Sequence, residues 1–195
     1  MGLSIHKGCL SDPAYLSEMI QEVKDIAEGF NWDYYIYERE FPENTFSRID
    51  YNQNIYGIRF TIPNCEPIWI CFLSNGKMSN PFLLKFFGKG ENSSEQEYLY
   101  MLSVKTQYSG IEWHKFIIHL FKYFDKKYLK GFEMIDERGY WENGDEEILE
   151  KNFKRYNDLM DSFSLAIESY PKMAGESFEA YFEKLIKQIK QNNTK

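Results

Sequence analysis

Residues 55 to 62 set the first constraint on the fold: Tyr56, Ile58, Phe60 and Ile62 alternate with Ile55, Gly57, Arg59 and Thr61. A period of two places one set on each face of a pleated strand, so this segment reads as a half-buried β-strand. Ile68 to Leu73 follows after the turn Pro63-Asn64-Cys65-Glu66-Pro67 and is apolar on both faces, which suits a central strand. Asn75-Gly76 is a hairpin signal, since both residues tolerate the positive φ of a type I′ turn. Phe82 to Phe87 is then expected as the return strand and Tyr98 to Thr106 as another alternating strand, with a flexible loop from Gly88 through Lys89 and Gly90 to Ser94 between them. With Asp33 to Tyr37 included, the span 33–107 reads as an antiparallel strand meander.

On either side the period changes. Asp12 can cap a helix with Pro13 in its first turn, and Leu16, Met19, Ile20, Val23, Ile26 and Ala27 recur on one face before Gly29 stops it, giving a helix over 12–29. Ser109-Gly110-Ile111-Glu112 fits a capping box. Trp113, Ile117, Leu120, Phe124 and Tyr128 then predict a helix over 110–129, and Phe132 to Ile135 a short strand over 132–136. Leu149, Phe153, Tyr156, Met160, Phe163, Ile167 and Tyr170 step by fours and threes; after Pro171 to Gly175 the spacing resumes at Phe178, Phe182, Leu185 and Ile189. The span 145–190 therefore reads as a helical hairpin, and the last residues, 188–195, as a frayed end. Strands segregated from helices give an α+β class: an antiparallel sheet of about five strands packed against helices, with a C-terminal helical hairpin. The length of 195 residues favours one domain, 1–195.

The formal net charge of -7 argues against non-specific nucleic-acid or anionic-membrane binding, where cations must neutralise phosphates, and is compatible with a basic protein partner. Aromatic residues make up 18% of the chain, more than a core of this size requires, and tyrosine in particular suits binding faces. Cys9, Cys65 and Cys71 form no CxxC pair, and neither a signal-peptide run nor a stretch of membrane-helix length is visible, so a reducing, cytoplasmic setting is expected.

Chemistry-bearing motifs are sparse. His114 and His119 are five apart and fall on different helix faces, His6 sits near an end expected to be mobile, and no cluster has zinc-ligand spacing. Cys71 lies in the most apolar strand and Cys65 in a turn without an evident base. Gly88-Lys89-Gly90 lacks the spacing of a phosphate loop. No catalytic residue, metal or cofactor is assigned.

The segment from Asp136 to Glu147 concentrates carboxylates around two rings, and its partner-binding candidates are Asp136, Glu137, Tyr140, Trp141, Glu142 and Asp145. Helix capping with a solvated charge run accounts for the same residues. As an epitope, rings beside carboxylates suit a partner offering arginine and lysine. The leading expectation is a non-catalytic protein-binding module, of the kind found in immunity, antitoxin or chaperone-like adaptor proteins, with a basic protein partner. An enzyme using His119, Tyr140, Glu142 and Asp145, or a homodimer through the 145–190 hairpin, are the alternatives.

Overall fold

A computed structural model describes residues 2–48, 50–89 and 93–192. The loop expected over 88–94 and the end expected to fray over 188–195 fall partly outside them. The chain divides into two compact units, Met1–Glu146 and Glu147–Lys195.

In the first unit, the alternation at 55–62 does what its period demands. Strands β2 (Asp33–Ile36), β3 (Tyr56–Thr61) and β4 (Ile68–Phe72) form an antiparallel sheet in that order. Ile58, Phe60, Ile68 and Ile70 are buried. Helix α1 (Tyr15–Gly29) packs on β3 and buries Leu16, Met19, Ile20, Val23 and Ala27. Asp12 Oδ1 accepts the Ala14 N–H at 2.8 Å, so it orders the turn ahead of a helix that starts three residues later than expected.

The single sheet of about five strands is not formed. The described residues hold two three-stranded antiparallel sheets, and the second has the order β5 (Leu102–Lys105), β1 (Gly2–Leu10), β6 (Leu129–Asp136). Its central strand comes from the segment expected to be mobile. Leu3 and Ile5 are buried there, but irregular register between Ile5 and Cys9 breaks the alternation that would have marked a strand. Helix α4 (Ile111–Lys127) packs on β6 and buries Ile117, Ile118, Leu120, Phe121 and Phe124. The capping box is absent: the Ser109 hydroxyl donates to the Thr106 carbonyl at 2.8 Å, and Gly110 stands at the N-cap with φ 90°.

The meander is broken as well. Phe82 to Phe87 lies in a helix, α2 (Pro81–Phe87), and not in a return strand. Asn80 Oδ1 accepts the Leu83 N–H at 2.8 Å and Pro81 takes the first turn, a start signal that overrides the apolar run after it. Only Gly76 of the Asn75-Gly76 pair has positive φ, 80°, and the Gly76 N–H donates to the Leu73 carbonyl. That is a type I turn followed by a left-handed glycine, not a type I′ turn. The return is just Lys77–Met78, where Lys77 bridges to Cys9 of β1 and Met78 to Phe72 of β4. This pair of residues joins the two sheets. Short helices α3 (Ser93–Tyr98) and α5 (Tyr140–Asn143) complete the unit.

In the second unit, α6 (Glu146–Ser169) and α7 (Phe178–Asn192) form the expected helical hairpin. Ala166, Tyr181 and Leu185 are its buried centre, and the Phe163 and Phe182 rings stack with centroids 6.2 Å apart. No helix among the described residues is long and apolar enough to cross a membrane.

Candidate functional site

The segment singled out by sequence is a structural corner. β6 ends at Asp136, the chain reverses through Gly139 at φ 78°, and α5 begins. Asp136 Oδ1 accepts the Arg138 N–H at 2.9 Å, and Oδ2 accepts those of Tyr140 at 2.8 Å and Trp141 at 3.2 Å. Behind it, His114 Nε2 lies 3.3 Å from Asp136 Oδ2, while Nδ1 lies 2.8 Å from the Thr106 hydroxyl. Thr106, His114 and Asp136 are all buried. Burial opposes the charge on Asp136, but the hydrogen bonds from His114 and from the Arg138 and Trp141 N–H groups outweigh it and hold the carboxyl below its ordinary value.

The six candidates therefore separate. Asp136 and Tyr140 are buried; Glu137 and Glu142 are exposed; Trp141 and Asp145 are half-buried. Glu137 accepts the Gly2 N–H at 2.8 Å, and the Asp145 N–H donates to Asn143 Oδ1 at 2.7 Å. Trp141 packs edge-on against Phe132 at 5.8 Å. Lys122 places its ammonium 5.5 Å from the Trp141 ring and 5.9 Å from that of Tyr140, so the cation sought from a partner is supplied by the chain itself. Of the residues considered for catalysis, His119 lies beside Tyr140, with ring centroids 6.0 Å apart, but His119 and Glu142 face solvent.

An open aromatic surface occurs elsewhere, on the sheet face opposite α1. Antiparallel register puts Tyr35 of β2, Arg59 of β3 and Trp69 of β4 in one row across the sheet. Beyond it the Tyr37 N–H donates to the Gly57 carbonyl at 2.9 Å. The rings form a chain: Tyr35 to Tyr37 at 4.8 Å, Tyr37 to Trp69 at 6.2 Å and Trp69 to Phe82 of α2 at 5.8 Å. Tyr35 and Phe82, at the two ends of this chain, are 53% and 60% exposed. Arg59 is held by Asp33 at 3.2 Å. Burial raises the Tyr37 hydroxyl above its ordinary pKa, keeping it neutral. At the inner end, Cys71, Leu73, Leu84 and Leu99 form a small core that fixes Trp69 and Tyr37 from below. Sequence reasoning marked tyrosine as suited to binding faces, but did not single out Trp69 or Arg59. Their common row follows from register, and a single alternating strand does not reveal its neighbours.

Where Lys77 joins the sheets, two clefts meet. One, of about 640 Å³, is lined by Arg48, Asp50, Tyr51, Lys77, Lys89 and Tyr100 among others. The other, of about 590 Å³, shares Lys77 and Tyr100 and continues along Gly8, Cys9, Met101 and Gly131. The walls of the first are pinned by hydrogen bonds to backbone carbonyls. The Ser47 N–H donates to the Ser74 carbonyl at 2.8 Å, and the Tyr51 hydroxyl donates to that of Gly88 at 2.9 Å. Arg48, Lys77 and Lys89 are scattered through the sequence, and no local motif announces them.

Compared with known protein families, curated proteins and solved structures, the chain matches none.

Proposed function

We propose that this protein is a non-catalytic protein-binding module whose contact surface is the ring chain Tyr35–Tyr37–Trp69–Phe82, with Arg59 at its centre. The observation that carries the reading is a connected chain of rings over the sheet, exposed at Tyr35 and Phe82 and half-buried at Tyr37 and Trp69. Tyrosine, tryptophan and arginine are the side chains on which interface energies concentrate, because they bury much area and also pair with polar groups. The sheet and the small core beneath Trp69 hold the rings in place before binding, which lowers the ordering cost of association. A basic partner fits the net charge of -7, to which the exposed Glu137 and Glu142 contribute, since opposite charge accelerates encounter. An immunity-like, antitoxin-like or adaptor role belongs to this class of function.

The test compares affinity capture from a native lysate by the wild-type chain and by a Tyr35→Ala/Trp69→Ala variant of unchanged melting behaviour. A stoichiometric protein held by the first and released by the second is expected. Capture of nothing stoichiometric, or equal capture by both, overturns the proposal.

A second reading rests on the helical hairpin, where Leu159, Leu165, Phe178 and Ile186 are 54%, 62%, 69% and 47% exposed. Apolar side chains at this density suit a homodimer formed through α6 and α7. Light scattering at micromolar concentration decides it: a monomeric mass excludes the dimer.

A further inference from the structure

We propose that the paired clefts around Lys77 bind a phosphorylated small molecule, its anionic group set among Arg48, Lys77 and Lys89 and its organic part lying past Tyr100 into the adjoining cavity.

The charge arrangement is the first argument. The chain carries 30 acidic residues against 23 lysines and arginines, so carboxylates are plentiful. Elsewhere Lys127 pairs with Glu18 at 2.8 Å and with Glu22, and in the adjoining cleft Lys7 pairs with Glu133 at 2.7 Å. Arg48, Lys77 and Lys89 line one cleft, with Asp50 the only carboxylate among its described lining residues. Among the described residues, none of the three is within ion-pair distance of an acid. Three unneutralised cations around one concavity repel one another and focus a positive potential into it, within a protein that is negative overall. An anion of more than one charge relieves that repulsion. The planar fork of Arg48 beside two ammonium groups suits a tetrahedral phosphate, which accepts from several directions at once.

The second argument is shape. Lys77 and Tyr100 belong to both clefts, and the Lys77 ammonium lies 4.6 Å over the Tyr100 ring. A ligand anchored by its phosphate at Lys77 therefore meets the Tyr100 ring next, and beyond it the walls of Gly8, Met101 and Gly131. Volumes of about 640 and 590 Å³ fall in the range of small-molecule sites. The positions are also preset. Lys77 follows directly on the Gly76 turn, its N–H donating to Asn75 Oδ1 at 3.0 Å and its carbonyl accepting from the Leu73 N–H at 2.9 Å. This site shares no lining residue with the ring chain and does not depend on that reading.

Titration calorimetry on the full chain at low salt, with ATP, inorganic phosphate and adenosine as probes, tests the assignment. ATP is expected to bind with a dissociation constant at or below the millimolar range, inorganic phosphate more weakly, and adenosine more weakly still. Arg48→Gln and Lys77→Gln, both at exposed positions and so expected to fold normally, should each weaken ATP binding by about tenfold. Raising the salt should weaken it further in the wild type. Failure of both ATP and inorganic phosphate to bind at millimolar concentration overturns the proposal. So does adenosine binding as tightly as ATP, or undiminished ATP affinity in an Arg48→Gln/Lys77→Gln double variant with wild-type melting.

Discussion

His114 Nε2 and Asp136 Oδ2 lie 3.3 Å apart, with both side chains fully shielded from solvent. Asp136 meanwhile accepts three backbone N–H groups of the turn that follows it. An asparagine keeps one acceptor oxygen but sets an NH2 group against the Tyr140 and Trp141 N–H groups and the imidazole in a dry site, where each orphan costs roughly 1–3 kcal/mol. Asp136→Asn is therefore expected to destabilise the first unit by about 2–4 kcal/mol in urea unfolding, and His114→Ala by a comparable amount. An unchanged midpoint for Asp136→Asn would refute this account of the corner.

The same carboxyl gives a pH dependence. Its folded-state pKa lies below the ordinary unfolded value of about 3.9, so its contribution is complete above that value and fades as the pH falls through the folded pKa. The stability gap between wild type and Asp136→Asn should be constant near neutrality and should narrow below about pH 4. Urea titrations across the acid range measure it.

Gly57 is expected to be intolerant. It sits at φ 127°, and an added Cβ would lie 2.3 Å from the Ile70 carbonyl oxygen across the strand pair. Gly57→Ala should cost about 3 kcal/mol or more, since left-handed strain and a backbone clash act together. Gly29→Ala, where nothing lies within 4 Å, is the control and should change stability by no more than about 0.5 kcal/mol.

Asn80→Ala removes the side chain that caps α2 and should cost about 1 kcal/mol, whereas Asn80→Asp should retain most of the cap. Denaturant midpoints of the two variants make the comparison. Equal losses would show that the carbonyl oxygen of Asn80 is not what starts the helix.

The cysteines should differ in reactivity. Burial pushes the Cys65 thiol up to about 11 and that of Cys71 higher still, so neither is appreciably a thiolate at neutral pH. Native alkylation with iodoacetamide at pH 7.5, read by mass spectrometry, should leave Cys71 unlabelled until the protein is unfolded. Labelling of Cys65 should climb steadily as the pH approaches 11. Rapid native labelling of Cys71 would contradict its place in the core beneath Trp69.

The sequence made legible those elements whose period is clean. β3 and β4, α1, α4 and the helical hairpin were readable because their apolar residues repeat at 2.0 or 3.6 over several turns. Errors arose where two signals competed. Phe82 to Phe87 is an apolar run that fits strand or helix, and the cap at Asn80-Pro81 decides between them. β1 alternates for only two buried positions before its register slips, so its central place is visible only through its partners. For the candidate site, Asp136 and Tyr140 stand among the partner-binding candidates, yet the decisive fact is the imidazole beneath them. That contact crosses 22 positions and depends on α4 packing on β6. The clefts around Lys77 are less legible again, being assembled from separate loops by the docking of backbone on backbone.

The central position of β1 has a consequence for how the chain reaches its folded state. Ile5 pairs with Leu102 on one side and Met134 on the other, so one early strand waits for two partners roughly a hundred or more residues further on. Closing loops of that span precedes any gain from the contacts they bring, which marks the assembly of this sheet as the slow, committing event of folding. Until then Leu3 and Ile5 are an uncovered apolar edge, and crowding or delay at that moment exposes the chain to aggregation.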